Sequence, residues 1–228
     1  MHDLGMNKLE LLNDRIVVIG VCGVSTAYKS ASLVEKLRNL GAEARVIINE
    51  EAEKFVSPLT FERVSGHRVT GSSTAHEEEQ VEDDTGSSEV DITVVAPASF
   101  SFIGKLASGL NNDYLTRFAS SSNQPVIIAP SMNQNLYSSQ IAQSQLSQLR
   151  DQGYHTVAPK PWGPNDRGAG DLPLTILPEG IIEKIREVFH EDQLLQGQKV
   201  LVTSGPTRET FGQTGNSKIG SPGSLGFK

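Results

Sequence analysis

The chain is nearly free of cysteine, has no excess of positive charge and contains no long apolar run. Cys22 is the one cysteine among 228 residues. No disulfide can form within the chain, so a reducing, cytoplasmic setting fits. Lys and Arg number 20 against 27 Asp and Glu, a formal charge of -7. That balance argues against a surface built for nucleic acid or an anionic membrane, which needs clustered basic side chains. A small anionic ligand is still compatible, because backbone N–H groups bind one without net charge. Met1–Arg15 has no apolar run of the signal-peptide kind. The longest apolar stretch, near Ile16–Val24, is broken by glycines and is too short to span a bilayer. There is no internal repeat.

What is present alternates between two periods. Ile16-Val17-Val18-Ile19 is a short continuous apolar run, as in a strand covered on both faces. Leu33, Val34, Leu37 and Leu40 follow at helical spacing, and Gly41 is a helix stop. Further strands are expected at Ala44–Ile48, Ile92–Ala96, Val126–Ala129, Thr156–Ala158 and Val200–Thr203. Helices are expected around Phe102–Ser108, Gln140–Asp151 and Glu179–Phe189. Strands alternating with helices imply an α/β domain: a three-layer, doubly wound, mainly parallel sheet of about six strands, Rossmann-like in form. Two segments break the rhythm. Gly71–Ser88 is polar and acidic and reads as a flexible loop, and the Gly/Ser-rich stretch from Phe211 reads as a disordered tail. The expected division is a domain over 1–190 and a separate segment over 191–228.

Gly20-Val21-Cys22-Gly23-Val24-Ser25 follows the first strand and precedes a helix. Open parallel sheets bind ligands at that position. Glycines admit a phosphate close to the backbone, and the helix N-terminus offers unpaired N–H groups. The bland alternative is a tight strand-to-helix turn with no ligand. The spacing is neither G-x-G-x-x-G nor a Walker loop.

Five segments in order make the reading more specific. Gly20–Lys29 resembles the GVTGSIAAYK segment of the phosphopantothenoylcysteine decarboxylases. Phe55–Phe61 with Val64-Ser65-Gly66 resembles FVTPLTFxxLSG. Ala96-Pro97-Ala98-Ser99 resembles APAT, Lys105–Leu110 with Asp113 resembles KLAxGIxxD, and Pro130-Ser131-Met132-Asn133 resembles PAMN. The resemblance spans roughly Asp14–Glu183. Leu195–Glu209 is similar to the start of the ligase domain fused to this decarboxylase in many bacteria. With Lys228 the last residue, ligase activity is not expected of this chain.

The resemblance implies FMN held between subunits of a homotrimer that assembles further in some members. Gly23, Val24 and Ser25 would face its phosphate. Asn49 and Glu51, then Ser99, Phe100, Ser101 and Phe102, would contact the flavin, with Ser131 and Met132 beside it. The implied substrate is phosphopantothenoylcysteine or another cysteine derivative, and the implied setting is coenzyme A biosynthesis. In that family the flavin oxidises the substrate's cysteine side chain, the resulting thioaldehyde is an electron sink for loss of CO2, and reduced flavin returns the electrons, so the resemblance implies the same chemistry here. Asn133 would hold the departing carboxylate.

Three departures from the family pattern stand out. The family's catalytic His lies eight residues before the Asp that matches Asp91, and Asp83 stands there. His76 is the nearest histidine and a candidate for the role, with a solvated loop residue as the bland reading. Ala169, within Gly168–Asp171, occupies the place of the family's proton-donating Cys, and alanine donates no proton. Ser101 and Phe102 replace the Asn and second Thr of APATANT. Phe102 either stacks on the flavin or begins a core-facing helix. Three functions remain open at this point: an FMN-dependent decarboxylase, an oxidative enzyme of the peptidyl-cysteine type, or a non-catalytic FMN-binding protein that acts through oligomer contacts.

Overall fold

The computed structural model describes residues 12–71, 89–161 and 173–194. Of the expected loop Gly71–Ser88 only Gly71 is described, and it closes a strand; the rest with His76 and Asp83, the Gly168–Asp171 segment with Ala169, the strand at Val200–Thr203 and the tail all lie outside the described residues. The described residues fall within one compact unit, Met1–Gln196.

The strands are β1 (Ile16–Val21), β2 (Glu43–Ile48), β3 (Thr70–Gly71), β4 (Ile92–Ala98), β5 (Val126–Pro130), β6 (Met132–Asn133), β7 (His155–Thr156), β8 (Lys160–Pro161) and β9 (Pro173–Thr175). The helices are α1 (Lys29–Asn39), α2 (Glu50–Glu53), α3 (Pro58–Ser65), α4 (Phe100–Ala107), α5 (Tyr114–Ser121), α6 (Gln134–Tyr137), α7 (Gln140–Asp151) and α8 (Pro178–Leu194). Six strands form a sheet in the order β3-β2-β1-β4-β5-β7, and every pair in it is parallel. A second sheet, β6-β9-β8, is antiparallel.

Alternation along the strands explains the layers. Val17, Ile19 and Val21 face one side with Val46, Val94 and Ile127, against Leu33, Leu37, Phe61, Ile181 and Ile185 of α1, α3 and α8. Val18, Ile47, Val95 and Ile128 face the other, against Phe102, Ile103, Leu106, Leu115 and Leu149 of α4, α5 and α7. With both faces covered, the strands read as unbroken apolar runs. The expected doubly wound, three-layer α/β fold is what the chain forms.

Several local expectations shift. The sixth strand of the main sheet is the edge pair Thr70–Gly71, a dipeptide too short to leave a pattern in sequence. The fourth expected helix residue of α1, Leu40, is its C-cap, and Gly41 takes φ +87°, where a side chain would be strained. α4 starts at Phe100 rather than Phe102, because Ser99 Oγ accepts from Phe102 N–H at 3.1 Å and caps it. Helices α2, α3, α5 and α6 and the second sheet were not expected. The helices are one or two turns long, shorter than a periodicity argument resolves.

Candidate functional site at the carboxyl edge of the sheet

Strand order reverses at β1, with β2 on one side and β4 on the other. Loops after β1 and β4 therefore diverge to opposite layers and leave a crevice at their carboxyl ends. The site is built from four of these loops.

The first follows β1. Cys22 N–H donates to Pro97 O at 3.2 Å, which ties it to the end of β4. Val24 N–H donates to Cys22 O at 3.0 Å. Gly23 and Val24 are half-buried and Ser25 is exposed. The N–H groups of Gly23 and Ser25 have no acceptor among the described residues. Gly23 is required on steric grounds: a Cβ there would sit 2.4 Å from the carbonyl carbon and Cβ of Glu51 and 2.6 Å from its oxygen. Gly20 is less strictly confined, since its Cβ would meet a side-chain tip, Leu115 Cδ1, at 2.5 Å. Cys22 is fully buried, and burial pushes its thiol up to about 12 despite hydrogen bonds from Ser99. It is a packed neutral group and not a nucleophile.

The second loop follows β2. Asn49 N–H donates to Val21 O at 3.1 Å. Asn49 Oδ1 accepts from Ala52 N–H at 2.9 Å and caps α2. The cap uses the amide oxygen and leaves the NH2 as a donor. Glu51 is exposed beside Gly23. The third loop follows β4. Ser99 is buried and spends its hydroxyl on the α4 cap, Phe100 is half-buried and Ser101 is exposed. Phe102 packs in the core with Ile103 and Leu106, the second of the two uses expected for it.

The fourth loop follows β5. Ser131 is buried and its hydroxyl is fully engaged: it lies 2.8 Å from Thr26 Oγ1 and donates to Leu174 O at 3.1 Å. Its work is to join the β1 loop, β5 and β9. Met132 is half-buried in the second core layer. Asn133 is exposed and caps α6 through Oδ1, which accepts from Leu136 N–H at 2.8 Å. The cap uses the amide oxygen and leaves the NH2 as the donor, the polarity needed to hold a carboxylate. His76 lies outside the described residues.

Sequence reading missed four supporting residues. Thr26 and Ser30 bridge loops, Ser30 through a 2.6 Å bond to Ala96 O. Lys105 and Asp113 were visible only as motif letters. Lys105 Nζ lies 2.9 Å from Asp113 Oδ2, and Asp113 Oδ1 accepts from Thr116 N–H and Oγ at 2.8 and 2.7 Å. Partial burial pushes Asp113 up, but the Lys105 and Thr116 hydrogen bonds outweigh it and hold the carboxyl below its ordinary range. A small crevice opens on the α1 side, lined by Thr26, Lys29, Ser30, Pro97 and Thr175. Among the described residues no cluster of His, Cys, Asp or Glu has the form of a metal site. No helix among them is long and apolar enough to cross a membrane.

An open parallel sheet with a glycine-confined loop and N–H donors left without an acceptor among the described residues at its switch point is the form of a class: α/β domains that bind an anionic cofactor at the carboxyl edge. The Flavoprotein family pattern matches residues 6–188, and the chain belongs to that family. The Coenzyme A biosynthesis bifunctional protein CoaBC of Haemophilus influenzae is 35% identical over 224 residues, covering 95% of this chain and 54% of that protein. The Bacillus subtilis CoaBC protein is 34% identical over 222 residues, with 95% and 54% covered. The chain thus spans about half the length of the curated relatives it matches. Among solved structures, the FMN-dependent cysteine decarboxylase SpaF superposes with a TM-score of 0.61 at 27% identity, covering 78% of this chain and 98% of that one. A cysteine-to-serine variant of a PPC decarboxylase, solved with pantothenoylaminoethenethiol, gives 0.65 at 20% identity over 78% and 100%, a likeness of fold.

Proposed function

We propose that the chain binds FMN and removes CO2 from the cysteine moiety of phosphopantothenoylcysteine or a similar compound. The observation that carries this reading is that the Asn133 Oδ1 is taken by its own helix cap, which leaves its NH2 as a donor on the loop that Ser131 ties to Thr26 of the β1 loop. The residues present suit the cofactor: Gly23 leaves no room for a side chain, and the N–H groups of Gly23 and Ser25 are available to a phosphate. Asn49 and Ser101 would flank the ring system. When bound, FMN supplies the two-electron oxidation of the substrate's cysteine side chain that makes loss of CO2 easy. Asn133 would hold the carboxylate until it departs, and Ser131, through Thr26 and Leu174, would keep that loop in register with the phosphate loop.

A homo-oligomer belongs to the same reading. Tyr28, Phe55 and Leu59 are large apolar side chains, each more than half exposed, on segments that follow β1 and β2. A second copy would cover them and close the cofactor edge. Light scattering of the FMN-loaded protein is expected to give a trimer or a multiple of one; a monomer would remove this part.

A second reading is an FMN-binding protein without turnover. It is favoured by Asp83 and Ala169 at the positions where the family pattern has His and Cys. Anaerobic incubation of FMN-supplemented protein with phosphopantothenoylcysteine, followed by product mass, separates the possibilities. A product lighter by CO2 alone is the expected result. One lighter by CO2 and two hydrogens means an oxidative enzyme. Bound flavin with no turnover leaves the binding-protein reading.

A further inference from the structure

Two buried hydroxyls meet between the loop after β1 and the loop after β5. Thr26 Oγ1 lies 2.8 Å from Ser131 Oγ, and both residues are buried. Ser131 carries one hydroxyl hydrogen and gives it to Leu174 O at 3.1 Å. Thr26 is therefore the donor of the pair, and the bonds run in one direction, from Thr26 to Ser131 to β9. Ser131 N–H is taken as well, by Ala98 O at 2.9 Å. Both polar hydrogens of Ser131 are thus spent inside the protein. Thr26 comes directly after Gly23–Ser25. The near end of that loop is tied to β4, through Cys22 N–H and Pro97 O at 3.2 Å. Its far end is tied by Thr26 to the β5 loop. The family segments that these residues resemble carry alanine at both places: GVTGSIAAYK has Ala where Thr26 stands, and PAMN has Ala where Ser131 stands. The two hydroxyls, 105 positions apart, are present together. Thr26 without Ser131 would be a buried hydroxyl that had lost its acceptor.

A phosphate held by backbone N–H groups needs its loop in one conformation, because ordering the loop on binding would cost affinity. The inference rests on the FMN reading above. We propose that Ser131 is a positioning residue for the phosphate loop: it acts on the cofactor's phosphate through Thr26, whose hydrogen bond fixes the far end of Gly23–Ser25. Preference for the phosphorylated flavin is thereby set in part from the β5 loop, by a side chain whose hydroxyl is not offered to the ligand. The clasp is this chain's own, in place of the alanine pair of the family segments.

A double-mutant cycle on ligand affinity tests this. Wild type, Thr26→Val, Ser131→Ala, the double variant and Thr26→Ser are titrated with FMN and with riboflavin, which lacks the phosphate, following the quenching of flavin fluorescence. Each of Thr26→Val and Ser131→Ala is expected to weaken FMN about fivefold and riboflavin by less than about twofold. The double variant is expected to stay at about fivefold for FMN, because the second change removes a bond already lost. Thr26→Ser keeps the hydroxyl and is expected to stay within about twofold of wild type for both ligands. A double variant weakened about twenty-five-fold would mean two independent contacts and overturn the inference. Equal weakening of both ligands overturns it too, since a bond that only supports the fold does not separate the two flavins. So does unchanged FMN binding in Ser131→Ala. If Ser131→Ala fails to fold, unchanged FMN binding in Thr26→Val overturns it instead. Wild type that binds neither ligand removes the FMN reading itself. Wild type that binds both equally keeps a flavin site but removes the phosphate contact and this inference with it.

Discussion

At residue 23 a side chain must be absent, which leaves the backbone N–H open to the proposed phosphate. Its φ is not in the left-handed region, so the need for glycine comes from the Glu51 main chain and not from strain. Gly23→Ala is expected to displace the loop at a cost of about 1–3 kcal/mol. FMN affinity should fall by about tenfold or more, and fluorescence titration with a thermal melt reads both. Asn133 offers a sharper test, because its two amide atoms have separate tasks. Asp caps a helix as well as Asn does, so Asn133→Asp keeps the Leu136 bond and replaces the NH2 with a carboxylate. The melting temperature is expected to stay within about 2 °C of wild type while kcat/KM falls by about a hundredfold or more, through like-charge repulsion of the substrate's carboxylate. Cys22 should be inert: buried and pushed up to about 12, it is expected to resist thiol reagents at neutral pH until the chain unfolds.

Among the elements, α5 shows how a short helix earns its place. It has two turns, too few to be stable from propensity, yet Asp113 caps it and Lys105 anchors the cap to α4. Asp113→Ala removes cap and ion pair and is expected to cost about 1–2 kcal/mol. Asp113→Asn keeps the cap and isolates the pair. The pair's pH window follows from the two shifts. Asp113 is held below its ordinary 3.8, so its contribution is present above that value and is lost as pH falls through the lower folded value. Lys105 is held above its ordinary 10.5, so its contribution is present below that value and is lost as pH rises further. Urea unfolding of Asp113→Asn against wild type should show a gap that is constant near neutrality and closes as the pH drops below 3.8. The sequence displayed Lys105 and Asp113 eight positions apart, with nothing to say they touch. The glycine turn at Gly109, φ +70°, brings them together.

Across the whole molecule, the cofactor edge draws on loops from residues 22, 49, 99 and 133, and none of them closes the site alone. A ligand that binds only this arrangement stabilises all of it. FMN at a hundred times its dissociation constant is expected to add about 2.7 kcal/mol, which raises the melting temperature of a chain of this size by about 5–10 °C. Riboflavin, without the phosphate, should give a smaller rise.

The core strands were legible because both faces of β1, β4 and β5 are buried. Burial on two sides forces consecutive apolar residues, as in Ile16–Ile19 and Val126–Ala129, and that signal survives without any contact being known. The family motifs likewise placed Gly23, Ser99 and Asn133 after strands, and Asn49 follows the expected second strand. Contacts between residues far apart in the chain were not legible. Ser131 reads as a cofactor contact in sequence, yet its hydroxyl is spent on Thr26, 105 positions away, and on the Leu174 carbonyl. Phe102 had two uses until the α4 cap at Ser99 turned it inward. The sequence by itself determined which segments are buried and which loops end the strands, because these follow from local periodicity. Only the tertiary structure decided which polar atoms are consumed as caps and bridges and which still face a ligand, because hydrogen-bond partners are set by closure of the chain over distances that no local pattern encodes.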